Sequence, residues 1–348
     1  MRCSTTVKPT VSDTAEGKSR RRFFLYTACM HGFWDKLPRP FFILAPMADV
    51  TDVPFRTIVA KCGRPDVFYT EFVSAHGLNS PGRDRLMKDL AIGTADHPIV
   101  AQFFGTEPEH FYSVGQLARE LGFDGVDINM GCPDRGVMKQ GAGIAMVKTP
   151  ERVADVVAAL RGGFGGPVVV KTRLGLYRTD EMDAWIGTVL AAKPDVLIVH
   201  GRTMKEASNV PAHWDLIGRC GLMAHDAGIL CVGNGDVVSR AQGAELAGRW
   251  GVDGIMAGRG IFHNPWLFKP DDTGEHSPKE RLDLLVEHAR LWEQQWMGEK
   301  SFDLMKKFAK AYVAGWPGAA DLRARLMNCH NADEIVEAVA LYKKNAGT

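Results

Sequence analysis

An α/β fold, a (β/α)8 TIM barrel followed by a small C-terminal helical bundle, is predicted by three features of the 348-residue sequence. Eight short apolar runs alternate with helically spaced stretches between Phe41 and Phe268, the rhythm of a parallel sheet covered by helices. The runs end in polar or glycine-rich residues, as strands do when they deliver side chains to the carboxyl-end face of a barrel. Past Phe268 the strand signal stops and helical periodicity continues almost to the C-terminus. An open doubly wound sheet competes with this reading. It more often carries a G-x-G-x-x-G turn after its first strand, and Pro46 to Asp52 supplies none.

The predicted strands are Phe41–Ala45, Val67–Thr70, Ile99–Phe103, Gly125–Ile128, Val168–Lys171, Val196–Val199, Ile229–Val232 and Gly254–Ala257. Eight alternations over roughly 230 residues match a closed barrel in number and length. Between the strands, Glu107–Leu121, Pro150–Arg161, Asp180–Ala192 and Val238–Trp250 carry apolar residues at helical spacing. Thr106, Thr149 and Thr179 are read as caps. Residues 40–268 form the barrel domain in this reading, and 269–278, rich in Pro, Asp and Gly, form a linker. Residues 279–348 form a bundle of about four helices: Arg281–Trp296, Phe302–Ala314, Ala319–Asn328 and Ala332–Lys344, with a break at Trp316 to Gly318. Trp292 and Trp296 are read as bundle core. Residues 1–39 are an N-terminal extension, expected to be flexible to about residue 29. There the basic cluster Lys18 to Arg22 precedes an apolar run too short for a signal peptide.

Whole-chain charge, 42 basic against 41 acidic side chains, draws the protein neither to nucleic acid nor to a membrane, so an anionic partner must be met by local clustering. Seven widely spaced cysteines without a C-x-x-C pair fit a reducing cytoplasm and no structural metal. No segment is long enough to cross a bilayer. The expectation is a cytoplasmic monomer with no metal and no membrane contact.

The strand ends repeat one message. In order they offer Pro46, Met47 and Ala48; Glu71; Gln102; Asn129 and Cys132; Lys171 and Arg173; His200 and Arg202; Asn234, Gly235 and Asp236; and Gly258 and Arg259. A polar residue at one strand end is easily satisfied by backbone, but a set at all eight marks a site. The turns after the seventh and eighth strands place small residues and free N–H groups where barrels hold phosphate, with Ile261 to Pro265 able to open a short helix. Arg259 adds a bidentate phosphate partner. Gln102, Lys171 and His200 remain to meet a polar ring system, and flavin mononucleotide (FMN) satisfies the whole set. Cys132, between Gly131 and Pro133 at the end of an apolar run, is presented rather than packed.

The motifs Leu44 to Arg56, Asp127 to Pro133 with Gly141 to Gly143, Val170 to Arg173, Val199 to Thr203, Gly233 to Asp236 and Gly258 to Gly260 stand in one order. Together they resemble the tRNA-dihydrouridine synthase family, and Gly315 to Arg323 resembles that family's helical segment. The resemblance implies a flavin barrel and a helical domain that together hold a folded tRNA. NADPH would reduce FMN, and the flavin the C5=C6 bond of a uridine. By motif, Cys132 is then the proton donor, and Asn129 and Arg173 face the uracil. Pro46, Met47, Ala48, Gln102, Lys171, His200, Asn234, Gly235, Asp236, Gly258 and Arg259 surround the FMN. Arg135 and Lys139, beside the cysteine, are read as contacts near the target nucleotide. Lys306, Lys307 and Lys310 form either a phosphate-contacting patch or a solvated helix face. Competing readings are a flavin barrel acting on a small enone or pyrimidine, which needs no helical domain, and a tRNA-binding protein without chemistry, which needs no cysteine.

Overall fold

The computed structural model describes residues 31–346. The expected flexible tail, its basic cluster and the cysteines Cys3 and Cys29 lie outside them. Eight strands, β1 (Phe41–Leu44), β2 (Phe68–Ser74), β3 (Ile99–Phe104), β4 (Gly125–Met130), β5 (Val168–Arg173), β6 (Val196–His200), β7 (Leu230–Asn234) and β8 (Gly254–Ala257), form one sheet. Their order is β1-β8-β7-β6-β5-β4-β3-β2, and every pairing is parallel. A bridge between Ile43 and Val67, with the Leu44 N–H donating to the Val67 carbonyl at 3.1 Å, joins β1 to β2 and closes the barrel.

Every predicted strand is present. β2 to β7 run further than the apolar pattern suggests, because the ladder continues through polar residues such as Glu71, Asn129, Arg173, His200 and Asn234. Inside, Phe41, Ile43, Tyr69, Val100, Val169, Ile198 and Val232 fill the barrel. Trp34, on a 3-10 turn (Gly32–Lys36), packs against them fully buried with its ring 5.5 Å from Phe41. The last part of the N-terminal extension is therefore barrel core.

Around the sheet lie α1 (Val53–Gly63), α2 (Ala75–Leu78), α3 (Arg83–Met87), α4 (Pro108–Glu120), α5 (Arg135–Lys139), α6 (Val153–Phe164), α7 (Met182–Ala191), α8 (Trp214–Asp226) and α9 (Arg240–Trp250). The expected caps Thr106, Thr149 and Thr179 cap nothing. The Thr106 hydroxyl donates to Glu107, while Thr149 precedes a 3-10 turn and Thr179 opens one. Pro108 and Pro150 sit at the first helical position, where a missing N–H already removes one orphan donor. The caps that form are carboxylates and serines: Asp52 accepts from the Phe55 N–H at 3.0 Å and Ser239 from the Gln242 N–H at 3.1 Å.

The C-terminal bundle comprises α10 (Pro278–Trp296), α11 (Ala309–Tyr312), α12 (Ala319–Leu326) and α13 (Ala332–Ala346). The stretch expected as one helix from Phe302 is a 3-10 segment (Phe302–Phe308) followed by the single turn of α11. Trp292 and Trp296 are buried, as expected of core. Trp296 does more than fill space, since its Nε1–H donates to Asp52 of the barrel at 3.0 Å. Lys300 is 9% exposed and bonds Glu71 in the middle of β2 and Asp89, each at 2.8 Å. The bundle is thus ionically fastened to the β1 and β2 lip. No described helix is long and apolar enough to cross a membrane. No group of three or more described His, Cys, Asp or Glu is placed to hold a metal ion.

Candidate active site

A cavity of about 420 Å³ opens at the carboxyl ends of the strands. Nine of the residues singled out for cofactor contact line it: Pro46, Met47, Lys171, His200, Asn234, Gly235, Asp236, Gly258 and Arg259. Ala48 is solvent-exposed just beyond the lip, and Gln102 is wholly buried behind the wall.

At one end the backbone dominates. The N–H groups of Gly235, Asp236 and Gly258 donate to no acceptor among the described residues, leaving donors free for an anion beside the Arg259 guanidinium. A 3-10 turn, Arg259–Phe262, follows β8 here, one turn earlier than the expected short helix. Gly260 has no alternative at this turn, because a Cβ would stand 2.1 Å from the Val237 carbonyl oxygen. The Asp236 carboxylate is already committed. It pairs with Arg202 and accepts from the Ala212 N–H at 2.8 Å, so Asp236 offers the cavity its backbone. Asn234 likewise donates its amide to the Met256 carbonyl at 2.8 Å.

At the other end the side chains carry charge. Burial, reinforced by the cations Arg173, Lys171, Arg202 and Arg259, holds the His200 pKa well below the ordinary histidine range, so the imidazole is neutral. Arg202 Nη1 lies 3.3 Å from His200 Nε2. A guanidinium only donates, so Nε2 accepts and Nδ1 carries the hydrogen. Arg202, 3% exposed, links His200 to Asp236, a role that its place after the sixth strand does not reveal. The signal was present in the His-Gly-Arg run, yet sequence alone does not tell a cavity-lining arginine from a surface one.

Beneath Lys171 lies a chain of amides with one permitted polarity. Asp127, fully buried, accepts from Gln102 Nε2 at 2.7 Å. The Gln102 Oε1 therefore faces Asn129 and accepts from its Nδ2 at 2.9 Å. The Asn129 Oδ1 accepts in turn from the N–H groups of Gly131 (3.1 Å) and Cys132 (2.8 Å). Asp127 Oδ1 has no hydrogen-bond partner. Burial pushes the Asp127 pKa up and the Lys171 pKa down, and their mutual attraction opposes both shifts.

The cysteine turn is braced on its other side by Arg173, whose Nε donates to the Gly131 carbonyl at 2.9 Å and Nη1 to the Thr203 carbonyl at 3.2 Å. Gly143 closes over it with φ +62°; a Cβ there would meet the Cys132 carbonyl oxygen at 2.5 Å. Burial raises the Cys132 thiol's pKa, against a backbone N–H from Asp134 and the charges of Lys171 and Arg173. The thiol is thus protonated through neutral pH. Its alkylation by iodoacetamide, followed on the Cys132 peptide by mass spectrometry, is expected to be still accelerating above pH ~8.5, where an ordinary thiol levels off. A plateau by pH 8 would contradict this environment. Arg135 and Lys139 stand exposed on α5, whose first turn is capped by Asp134.

A family model described as "Dihydrouridine synthase (Dus)" matches residues 43–346. The chain is 43% identical over 313 residues to a "Probable tRNA-dihydrouridine synthase" of Staphylococcus aureus (strain Mu50 / ATCC 700699), covering 89% of this chain and 94% of that one. It is 43% identical over 307 residues to a "Probable tRNA-dihydrouridine synthase 2" of Bacillus subtilis (strain 168), covering 87% and 94%. Among solved structures, a histamine dehydrogenase from Rhizobium sp. 4-9 aligns with TM-score 0.50 at 13% identity, over 72% of this chain and 48% of that one. A 2-naphthoyl-CoA reductase complex aligns with TM-score 0.51 at 11% identity, over 65% and 49%. At such identities these two bear on the fold alone. The family match spans the barrel and the bundle together, and with it the cavity and the cysteine turn: the chain belongs to the tRNA-dihydrouridine synthase family.

Proposed function

We propose that the protein reduces the C5=C6 bond of specific uridines in tRNA to 5,6-dihydrouridine, with FMN held in the 420 Å³ cavity and NADPH as electron source. The cavity's donors fit FMN: free N–H groups and Arg259 suit a phosphate, while Lys171 and a neutral His200 suit ring carbonyls and nitrogens. When bound, FMN supplies the hydride to uracil C6. The Cys132 thiol gives its proton to C5 as charge builds over C5 and O4. Arg173, still a cation although burial lowers its pKa to about 10, stabilises that charge. Asn129, fixed in orientation by Gln102 and by the turn, positions the uracil. Arg135 and Lys139 hold backbone next to the target, which must leave its stack to enter. Residues 279–348 supply the second surface that a folded tRNA needs.

The observation that carries this reading is a barrel-mouth cavity lined by Arg259, Lys171 and His200, with Cys132 on a braced turn close enough for the Lys171 and Arg173 charges to act on its thiol. Incubating the purified protein with NADPH and unmodified tRNA, then mapping dihydrouridine by mass spectrometry of nuclease fragments, tests it. A gain of two mass units at a defined uridine is expected. A flavin-containing protein that oxidises NADPH yet leaves every uridine intact would point to a small-molecule reductase instead.

Asp127 gives a separate prediction. Where it is ionised, the Asp127 carboxylate favours the Lys171 ammonium, although burial pushes its own pKa up to about 8, so Asp127→Asn lowers the Lys171 pKa further. FMN affinity is expected to fall about tenfold at pH 8, one pKa unit's worth of interaction, and less at pH 6, where Lys171 regains its proton. Flavin fluorescence titration reads both; equal losses at the two pH values would sink the charge argument.

A further inference from the structure

Gln102 reaches across one strand pairing to touch two residues at once. It stands on β3 directly opposite Asp127 on β4, and Asp127 and Asn129, two apart on that strand, point to the same side. An amide at the tip of a side chain can bond both. It does so with opposite ends, Nε2 donating to Asp127 Oδ2 at 2.7 Å and Oε1 accepting from Asn129 Nδ2 at 2.9 Å. Gln102 and Asp127 are fully buried and Asn129 is 7% exposed, so solvent does not compete for these groups.

The chain of amides ends on the cysteine turn. Asn129 Oδ1 receives the N–H groups of both Gly131 and Cys132, which fills the two lone pairs of that oxygen. Turning Asn129 over would set its NH2 against both backbone N–H groups. Turning Gln102 over would set its oxygen against Asp127 and its NH2 against that of Asn129. Each amide therefore has one orientation, fixed by a carboxylate at one end and by the turn at the other. Ionisation of Asp127 does not alter it, because the proton of the neutral acid falls on Oδ1, the oxygen without a partner, and Oδ2 goes on accepting.

We propose that Gln102 is a positioning residue: anchored on Asp127, it holds Asn129 against the Gly131 and Cys132 N–H groups and so keeps the thiol in place for proton transfer. This task is separate from the flavin contact expected of the same residue. Its catalytic consequence rests on the reading of Cys132 as the proton donor, whereas the bracing of the turn is a property of the folded chain alone.

Two variants of nearly equal size separate bracing from packing, both studied in the full-length protein at pH 6. Gln102→Met keeps the length of the side chain and removes both hydrogen bonds. Exchange of the Gly131 and Cys132 amide hydrogens, located by mass spectrometry with electron-transfer fragmentation, is expected to lose about tenfold in protection as buried polar groups are left unpaired. In flavin-loaded protein, single-turnover reoxidation by tRNA is expected to fall about a hundredfold, the effect of misplacing a reacting group by about 1 Å. That fall should be at least about tenfold larger than any fall in flavin bleaching by NADPH. Gln102→Glu supplies the rescue. Two buried carboxyls this close share a proton at pH 6, so the introduced acid donates its O–H to Asp127 and accepts from Asn129, the polarity of the wild type. Protection of the turn and reoxidation by tRNA are both expected to return most of the way.

Unaltered protection at Gly131 and Cys132 in Gln102→Met overturns the proposal, and so does Gln102→Glu behaving like Gln102→Met. Exchange accelerated evenly through the barrel, with no excess at the turn, also overturns it and leaves Gln102 a core residue. A protein that reduces no uridine would instead fail the reading of the reaction, and the exchange data would still decide the bracing.

Discussion

Cys132→Ala is expected to lower the rate of tRNA reduction by about 10²–10⁴-fold, the usual contribution of a positioned general acid. The loss should fall on the half-reaction that consumes tRNA, because loading electrons from NADPH needs no proton at uracil C5. The fold is not at stake. The turn is held by backbone groups that an alanine keeps, with the 132 N–H on Asn129, the 132 carbonyl on the Ile144 N–H at 3.1 Å, and Arg173 on Gly131. Cys132→Ser keeps the shape but replaces the thiol with a far weaker acid, so it should be nearly as impaired. The pH profile gives the sign. Burial raises the Cys132 pKa, so the acid form persists through neutrality and activity falls on the alkaline side as the thiol ionises. Single-turnover reoxidation of the reduced flavin by tRNA, with dihydrouridine counted by mass spectrometry, measures each of these. Wild-type turnover by Cys132→Ala would remove the thiol from the mechanism.

Lys300→Met is expected to destabilise the protein by about 3–5 kcal/mol, the range found when one partner of a buried ion pair is removed. Lys300 and Glu71 have side chains 6% and 5% exposed. The lost ammonium leaves Glu71 and Asp89 facing each other without a counter-charge. Burial already raises the Glu71 pKa, with Lys300 pulling it down and Asp89 adding to the rise. Glu71 also accepts from the Asp49 N–H on the loop after β1, so the damage reaches the Pro46 and Met47 lip of the cavity. A fall in Tm of roughly 6–12 °C follows from the usual conversion for large domains. The double variant Lys300→Met with Glu71→Gln should recover part of it, since only Asp89 of the two carboxylates then keeps a charge. If the double variant is less stable than the single by calorimetry, the ionic account of this contact is wrong.

How far the molecule could be read in advance depended on the range of the interactions. All eight strands were legible because each is a local run of apolar residues with its own stop signal, as in Gly125 to Met130 before Gly131. The polar strand ends were legible for the same reason, and most of them do line one cavity. The caps were misread because Thr106 and Thr149 fit a composition rule, whereas the prolines beside them made such a cap dispensable. Arg202 and Asp127 were visible as letters without roles. A side chain's direction inside a barrel depends on register with neighbouring strands, and Asp127 acquires its function from Gln102 on β3 and Lys171 on β5.

By itself, then, the sequence determined the barrel, its helical appendage and the family, since these follow from periodicity and contiguous motifs. Only the tertiary structure decided which charges meet. Lys300 and Glu71 are 229 residues apart in the chain, and Arg259 and Lys310 border one cavity from different parts of the fold. Electrostatic energy depends on distance and burial in space, and neither is written in the spacing of residues along the chain.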